Sequence, residues 1–507
     1  MSGEALQIAR DGLLSDRGQS APFAPNGGSS SDPSTSRGAH QTGDRSPAGA
    51  GAWLVGGAVR DRELGRSLSD IDVVVEGDAG QAARAIAAAA RERGVRVACF
   101  ALSEEFGAWR VATAAGGWQI DVESLRGGSL PADLALRDFT VNAIAEPIAG
   151  GDPIDPLGGL TDLAAGRLRR AGERAFVDDP LRVLRLVRVA VELGLEPDAP
   201  TLAAAREQAD RLSEVSPERV FAELRRILAC AEAVRGVELM GEVGAAAAVL
   251  PELDAMRGVE QSRYHHRDVY GHTLEVLERT VALTSGDPAA VVGERHAAAV
   301  AALLAEPLAD GLTRGEALRW GALLHDAAKP ATRAVRPLDR RVTFMGHDVQ
   351  GAELARELLV RLRASVRLRE HVAALVRWHL RLGFLVHEPQ PLAREQVFAY
   401  LRDCEPVEVD VTLLSVCDRL ATRGARSQAA IDAHLALART MLDDALSWRE
   451  QGPPQPLLRG DELAAALGIE LGPRVGQLLE ELARAQYAGR VRTREQALEL
   501  AAERLSE

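Results

Sequence analysis

The chain has 507 residues and a formal net charge of −13, a length that points to three or four folding units and a balance that argues against a protein coating DNA regardless of sequence, while leaving room for a local basic groove for RNA. Four cysteines (Cys99, Cys230, Cys404 and Cys417) lie far apart with no CxxC pair, which indicates neither a zinc ribbon nor a disulfide framework. No apolar run reaches the roughly 18–20 residues that span a bilayer, and the N-terminus lacks the apolar stretch of a secretory signal, so a reduced cytoplasm is the expected compartment.

Residues 1–50 are expected to form a disordered extension, because 17–50 are rich in Ser, Gly, Pro, Asp and Ala and cannot bury enough surface to offset ordering entropy. From Ala52 to about Arg170, short strand-like runs (Trp53–Val55, Ile71–Val75, Val95–Phe100, Trp109–Thr113 and Trp118–Val122) surround a helix over Ala79–Arg93. This is an α+β pattern. Beyond Pro180, Leu, Ala, Arg and Glu recur at helical spacing almost to the end.

The most informative segment is 54–75, LVGGAVRDRELGRSLSDIDVVV. A strand ends in Gly56–Gly57 and the pair Arg60–Asp61, and Asp70 and Asp72 then alternate with Ile71 at the start of a second strand. Residues i and i+2 of a strand face the same side, so the two carboxylates share one face while the apolar residues enter a core. Mg²⁺ relieves such repulsion and takes carboxylates together with substrate phosphates, and paired metals drive in-line displacement. Glycines let a backbone approach phosphates. The expected chemistry is metal-dependent nucleotidyl transfer. Asp121, in WQIDV, is the candidate third carboxylate from a neighbouring strand; a strand-terminal Asp facing water is the alternative.

The ordered strand–GG–RD–DxD–strand resembles the class II CCA-adding tRNA nucleotidyltransferases and bacterial poly(A) polymerases. The resemblance implies a polymerase-β-like head with a small mixed sheet over 51–172, followed by an all-helical neck over 173–258. It gives Gly57 and Arg60 to the triphosphate and Asp70 and Asp72 to the catalytic Mg²⁺ ions. LRDFTVNAIA (136–145) is similar to the family's RRDFTxNA, with Leu136 in place of the first arginine, and implies nucleotide contacts for Arg137 and Asp138. DPLGGLTDL (155–163) is similar to the family's connector and is expected to be a structural turn.

FVDDPLRVLRLVRVAVELGLEPD (176–198) places Asp178 or Asp179 as a helix cap before Pro180. Arg182, Arg185 and Arg188 then recur at spacing three along one stripe. An anion along that stripe, or nearby acids, would relieve their repulsion. The resemblance assigns Asp179 and Arg182 to the base edge, selecting CTP and ATP without a template, and Arg185 and Arg188 to the triphosphate. C and A share an exocyclic amine beside a ring acceptor, which one acceptor and one donor complement.

His272, His325–Asp326, His347, His379 and Asp418 form an ordered H…HD…H…H…D series of a donor type suited to divalent transition metals. The series resembles the HD phosphohydrolases, implying an HD domain over 259–425. His272, His325, Asp326 and Asp418 would hold one metal and His347 and His379 a second, with Ni²⁺, Mn²⁺ or Fe²⁺ as candidates and Lys329 near substrate phosphate. Residues 426–507 resemble the family's helical, tRNA-contacting tail. The expected partners are tRNA, CTP and ATP, with no membrane and no DNA. The function implied is template-independent addition of CCA to tRNA 3′ ends; A-only or poly(A) addition, or an HD phosphohydrolase with a nucleotide-binding head, are the alternatives.

Overall fold

The computed structural model describes residues 2–15, 51–66, 70–103, 107–113, 117–261, 266–422 and 427–506. The chain divides into two compact units, Met1–Arg182 with Gly194–Ala205, and Val183–Leu193 with Arg206–Glu507. Together they make an α+β protein with one mixed sheet followed by helices.

The first unit is built on six strands, β1 (Ala52–Val55), β2 (Asp70–Val75), β3 (Val97–Ser103), β4 (Ala108–Thr113), β5 (Gln119–Ser124) and β6 (Ala145–Pro147), in the order β3-β4-β5-β2-β1-β6. All neighbours are antiparallel except β2 and β5. The strand alternation decides what each face does. Ile71, Val73 and Val75 enter a core with Ala83, Ile86 and Ala87, whereas Val74 packs on the other side with Trp53, Val55, Leu130 and Leu134. Asp70 and Asp72 share the side of Val74.

Its helices are α1 (Ser2–Ser15), α2 (Gly57–Glu63), α3 (Ala79–Glu92), α4 (Leu130–Ala135), α5 (Gly159–Ala164) and α6 (Ala175–Asp178), and α7 (Arg182–Leu193) leads into the second unit. Asp78 caps α3 by accepting from the Gly80 and Gln81 amides. Helix α1 corrects the expectation of a disordered extension over residues 2–15. Ala5, Ile8 and Ala9 repeat at helical spacing and are fully buried against the α3 side of the sheet. Residues 16–50 lie outside the described residues. The connector behaves as a turn: Asp155 accepts from the Gly159 and Leu160 amides at 2.7 and 2.8 Å. A Cβ at Gly159 would lie 2.1 Å from the Thr140 carbonyl oxygen, so only glycine fits there.

The second unit is helical apart from short two-stranded pairs. The helices Val269–Ser285, Arg314–Leu324, His347–Arg361, Val366–Trp378 and Glu408–Leu420 surround a polar centre, and Ser427–Gln451 packs on the last of these. Phe398, Trp448 and Tyr487 meet with ring centroids 5.6–5.8 Å apart and tie the terminal helices to this body.

Candidate active site and metal centre

In the first unit, strand register brings the acidic residues into one row. Val55 pairs with Asp72, Asp72 with Asp121, and Asp121 with Arg110. Both Asp121 oxygens accept from Arg110, from Nε and Nη2 at 2.7 Å each. The third carboxylate is therefore a guanidinium's partner rather than an open ligand, which corrects its assignment beside Asp70 and Asp72. The hydrogen bond from Asp121 raises the Arg110 pKa, and the charges of Asp70 and Asp72 add to it against an opposing effect of burial. Arg110 thus sits within the field of the DxD pair. It was legible only as an arginine on an otherwise apolar strand.

Gly56 turns the chain from β1 into α2 at φ +70°. A Cβ there would stand 3.0 Å from Asp72 Oδ2 and 3.2 Å from Arg137 Nη1. Carboxylate and guanidinium therefore converge over a glycine that cannot be replaced without crowding both. Asp70 and Asp72, sharing one face beside this cradle, fit a divalent cation that also takes phosphate oxygens. Gly56→Ala is expected to cost about 1–3 kcal/mol of backbone strain and to cut nucleotide incorporation at constant tRNA affinity; thermal melting and a primer-extension assay measure the two effects.

Gly57 lies under the Arg60 guanidinium, where a Cβ would fall 3.2 Å from Nη2. Arg60 itself is buried, bonded through Nε to Asp61 at 2.9 Å and through Nη1 to Asn142 Oδ1. Asn142 in turn donates to Asp138 Oδ1 at 3.0 Å, and Asp138 also accepts from the Phe139 amide at 2.8 Å. Arg60, Asn142 and Asp138 form a buried network that fixes the segment carrying Arg137. Arg137 is held by Asp133 at 3.3 Å and keeps a buried Nε with no hydrogen-bond partner.

Asp179 follows α6 and accepts from the Leu181 amide at 3.2 Å, while Asp178 pairs with Arg174. Arg182 donates to the carbonyls of Leu136, Arg137 and Ala175 at 2.9, 3.3 and 3.1 Å. Its plane is thereby fixed by backbone next to the Arg137 segment. In the second unit, Arg188 is buried and held by Glu223 and Glu192 at 2.5 and 2.6 Å. The anion expected along the arginine stripe is, at Arg188, supplied by the chain itself, which corrects its assignment to triphosphate. Arg185, one turn earlier, is about one-third exposed and lies 3.9 Å from Glu223.

The second unit gathers the histidine series. His325 and His379 stand at the ends of their helices and donate from Nδ1 to the carbonyls of Ala322 and Val376, at 2.8 and 2.6 Å, and His347 does so to Phe344 at 2.6 Å. These bonds satisfy chain-end carbonyls and turn each Nε2 lone pair toward the centre. The ligand atoms fall into two groups, His272–His325–Asp418 and Asp326–His347–His379, each within 4.8 Å. This corrects the expected division, which put Asp326 only with the first. Asp326 faces both ways: Oδ2 lies 3.1 Å from His325 and 3.8 Å from His272, and Oδ1 lies 3.4 and 3.9 Å from His347 and His379. His272 meets Asp418 at 2.9 Å.

Burial would raise the Asp326 pKa, but the charges of His325 and Lys329 outweigh it and hold the carboxyl well below its usual range. Burial would lower His325, and Asp326 overrides that and raises it. Burial, with the charge of His325, pushes His379 down to about 4. The centre thus favours positive charge between His325 and Asp326, and Nε2 of His325 and of His347 are buried without a hydrogen bond. Imidazole and carboxylate donors in this setting fit divalent metals. Lys329 does not reach out to a substrate: its Nζ lies 2.6 Å from Asp326 Oδ2 and 2.7 Å from Gln261 Oε1. His371, outside the series, faces Asp410 at 3.8 Å. His434, buried and bonded to Ser415 at 3.0 Å, lines the same cavity and gave no motif signal.

These two centres define a nucleotidyltransferase head joined to an HD domain. Family models agree by segment: the poly A polymerase head domain matches residues 52–169, the probable RNA- and SrmB-binding site of polymerase A matches 194–257, and the HD domain matches 269–423. An A-adding tRNA nucleotidyltransferase of Deinococcus radiodurans is 37% identical over 452 residues, covering 88% of this chain and 94% of the relative. A CC-adding tRNA nucleotidyltransferase of Thermus thermophilus is 34% identical over 452 residues, covering 88% and 92%. The chain belongs to the tRNA nucleotidyltransferase family. The fold is shared with the Thermotoga maritima CCA-adding enzyme solved in complex with tRNA, at 20% identity and a TM-score of 0.55 over 90% of this chain and 91% of that one. A CCA-adding enzyme solved with ATP gives a TM-score of 0.58, at 20% identity over 90% and 91%.

Proposed function

We propose that this protein adds C, C and A to the 3′ ends of tRNA from CTP and ATP, releasing pyrophosphate. The observation that carries the reading is the meeting of Asp72 and Arg137 over Gly56, beside the segment on which Arg182 is anchored. Asp70 and Asp72 would hold Mg²⁺, which supplies Lewis-acid activation of the attacking hydroxyl and charge neutralisation at the leaving pyrophosphate. Arg137 offers a guanidinium to the triphosphate. The Arg60–Asn142–Asp138 network holds that segment still, and Asp179 with Arg182 presents an acceptor and a donor to the base edge. Family resemblance supports 51–172 as the head, 173–258 as a base-selecting neck, 259–425 as the HD domain and 426–507 as a tRNA-contacting tail. Work on tRNA supports the cytoplasm as the compartment.

Incubation with Mg²⁺, tRNA ending before its CCA, and labelled CTP or ATP tests the reading. Both nucleotides are expected to be incorporated, ATP only after CTP. Addition of ATP alone, to tRNA already ending in CC, would establish a second reading, A-only addition, which the 37% identity to an A-adding relative favours.

For the HD centre we propose two divalent transition-metal ions, Ni²⁺, Mn²⁺ or Fe²⁺, sharing Asp326, and hydrolysis of phosphate esters as a second activity. The His325 and His347 Nε2 atoms, buried without hydrogen bonds, support the metal assignment.

A further inference from the structure

The cavity over the histidine centre has a volume of about 370 Å³. Asp326, His347, His379 and Asp418 line its floor, and Lys329, Phe384, His387, Arg419 and His434 contribute to its walls. A phosphate ester beside metal ions needs a further cation for the oxygens that the metals leave uncovered. Lys329 is the obvious choice by position, but its ammonium group is spent on Asp326 and Gln261.

Arg419 differs. It follows the ligand Asp418 directly on the helix Glu408–Leu420, it is half-buried, and its Nε is shut off from solvent with no hydrogen-bond partner. An orphaned guanidinium N–H on a cavity wall is costly unless a ligand satisfies it. Arginine also presents paired donors that match two phosphate oxygens. On the rim, Phe384 is 62% exposed, an aromatic ring left uncovered where a polar residue would cost less. Planar bases stack on such rings.

We propose that Arg419 is the phosphate-binding cation of the HD centre, and that Phe384 is a shelf for the base, so that the ligand class is a nucleotide-type phosphate ester. This rests on the HD centre binding metal, but not on its turning over a substrate. The geometry that separates the two cations is simple: Lys329 shapes the metal ligand Asp326, and Arg419 faces the cavity with an unmet donor.

Calorimetric titration tests it, on full-length protein carrying Asp70→Asn and Asp72→Asn so that the head cannot bind the probes. Mn²⁺ is titrated first, then inorganic phosphate, then AMP. Arg419→Met is expected to retain Mn²⁺ stoichiometry and weaken phosphate at least about tenfold, with Arg419→Lys recovering part of the loss. Phe384→Ala is expected to weaken AMP by about fivefold or more and leave inorganic phosphate unchanged. Equal phosphate affinity in the parent and Arg419→Met, or no phosphate binding to the Mn²⁺-loaded parent, overturns the Arg419 assignment. Equal AMP affinity in Phe384→Ala overturns the shelf. Failure of the parent to take up Mn²⁺ defeats the metal reading itself, and this proposal with it. Phosphate binding without ester hydrolysis would defeat only the hydrolytic reading.

Discussion

Asp72→Asn should reduce nucleotide incorporation on the order of a thousandfold or more, the scale at which losing a key electrostatic group in an active site is felt. The substitution keeps the shape of the side chain, so the row Val55–Asp72–Asp121 and the Gly56 turn should persist. Affinity for tRNA, measured by filter binding, should change little, and the melting temperature should stay near that of the parent. Asp70→Asn should behave the same way. Asp121→Asn should cost far less, because its oxygens already serve Arg110 rather than a substrate. An Asp121→Asn variant as dead as Asp72→Asn would restore Asp121 as a third metal ligand.

Asp326→Ala should abolish both metal positions of the HD centre at once. Its two oxygens face the two histidine groups separately, so its loss removes a ligand from each, and affinity at both should fall at least roughly 100-fold. Metal analysis after Mn²⁺ loading and desalting is expected to drop from two ions per chain to none. Asp418→Ala should remove only one, leaving the Asp326–His347–His379 group. Identical losses in the two variants would show that the donors act as one site rather than two. Nucleotide addition by the head supplies the folding control in each case.

Much of this was legible in the chain. Strand positions lay within two residues of those observed, because the period of two in IDVVV and WQIDV marks both the register and the face that carries the carboxylates. The donor types of the HD series were equally plain. Pairings between distant elements were not. Arg110 neutralises Asp121 from the next strand, and Glu223 reaches Arg188 from 35 residues away; sequence spacing along one element carries no record of either. The same limit explains the misplaced partner for Asp326, whose two oxygens are distinguished only once five helices converge. Helix α1 was hidden by averaging, since a composition rule fitted to residues 17–50 swept in a short amphipathic stretch ahead of it.

That first helix bears on how the protein can be trimmed. Gly12 presses so closely on α3 that a Cβ would fall 2.6 Å from the Cα of Ile86, and Ile8 is wholly enclosed beside it. Cutting the chain at residue 51, the natural boundary of the matched head, would strip this cover and leave Ala83, Ile86 and their neighbours facing water. The catalytic strands lie on the opposite side of the same sheet. A shortened protein that still bound nucleotide but aggregated would be showing an uncovered back, with its active face intact.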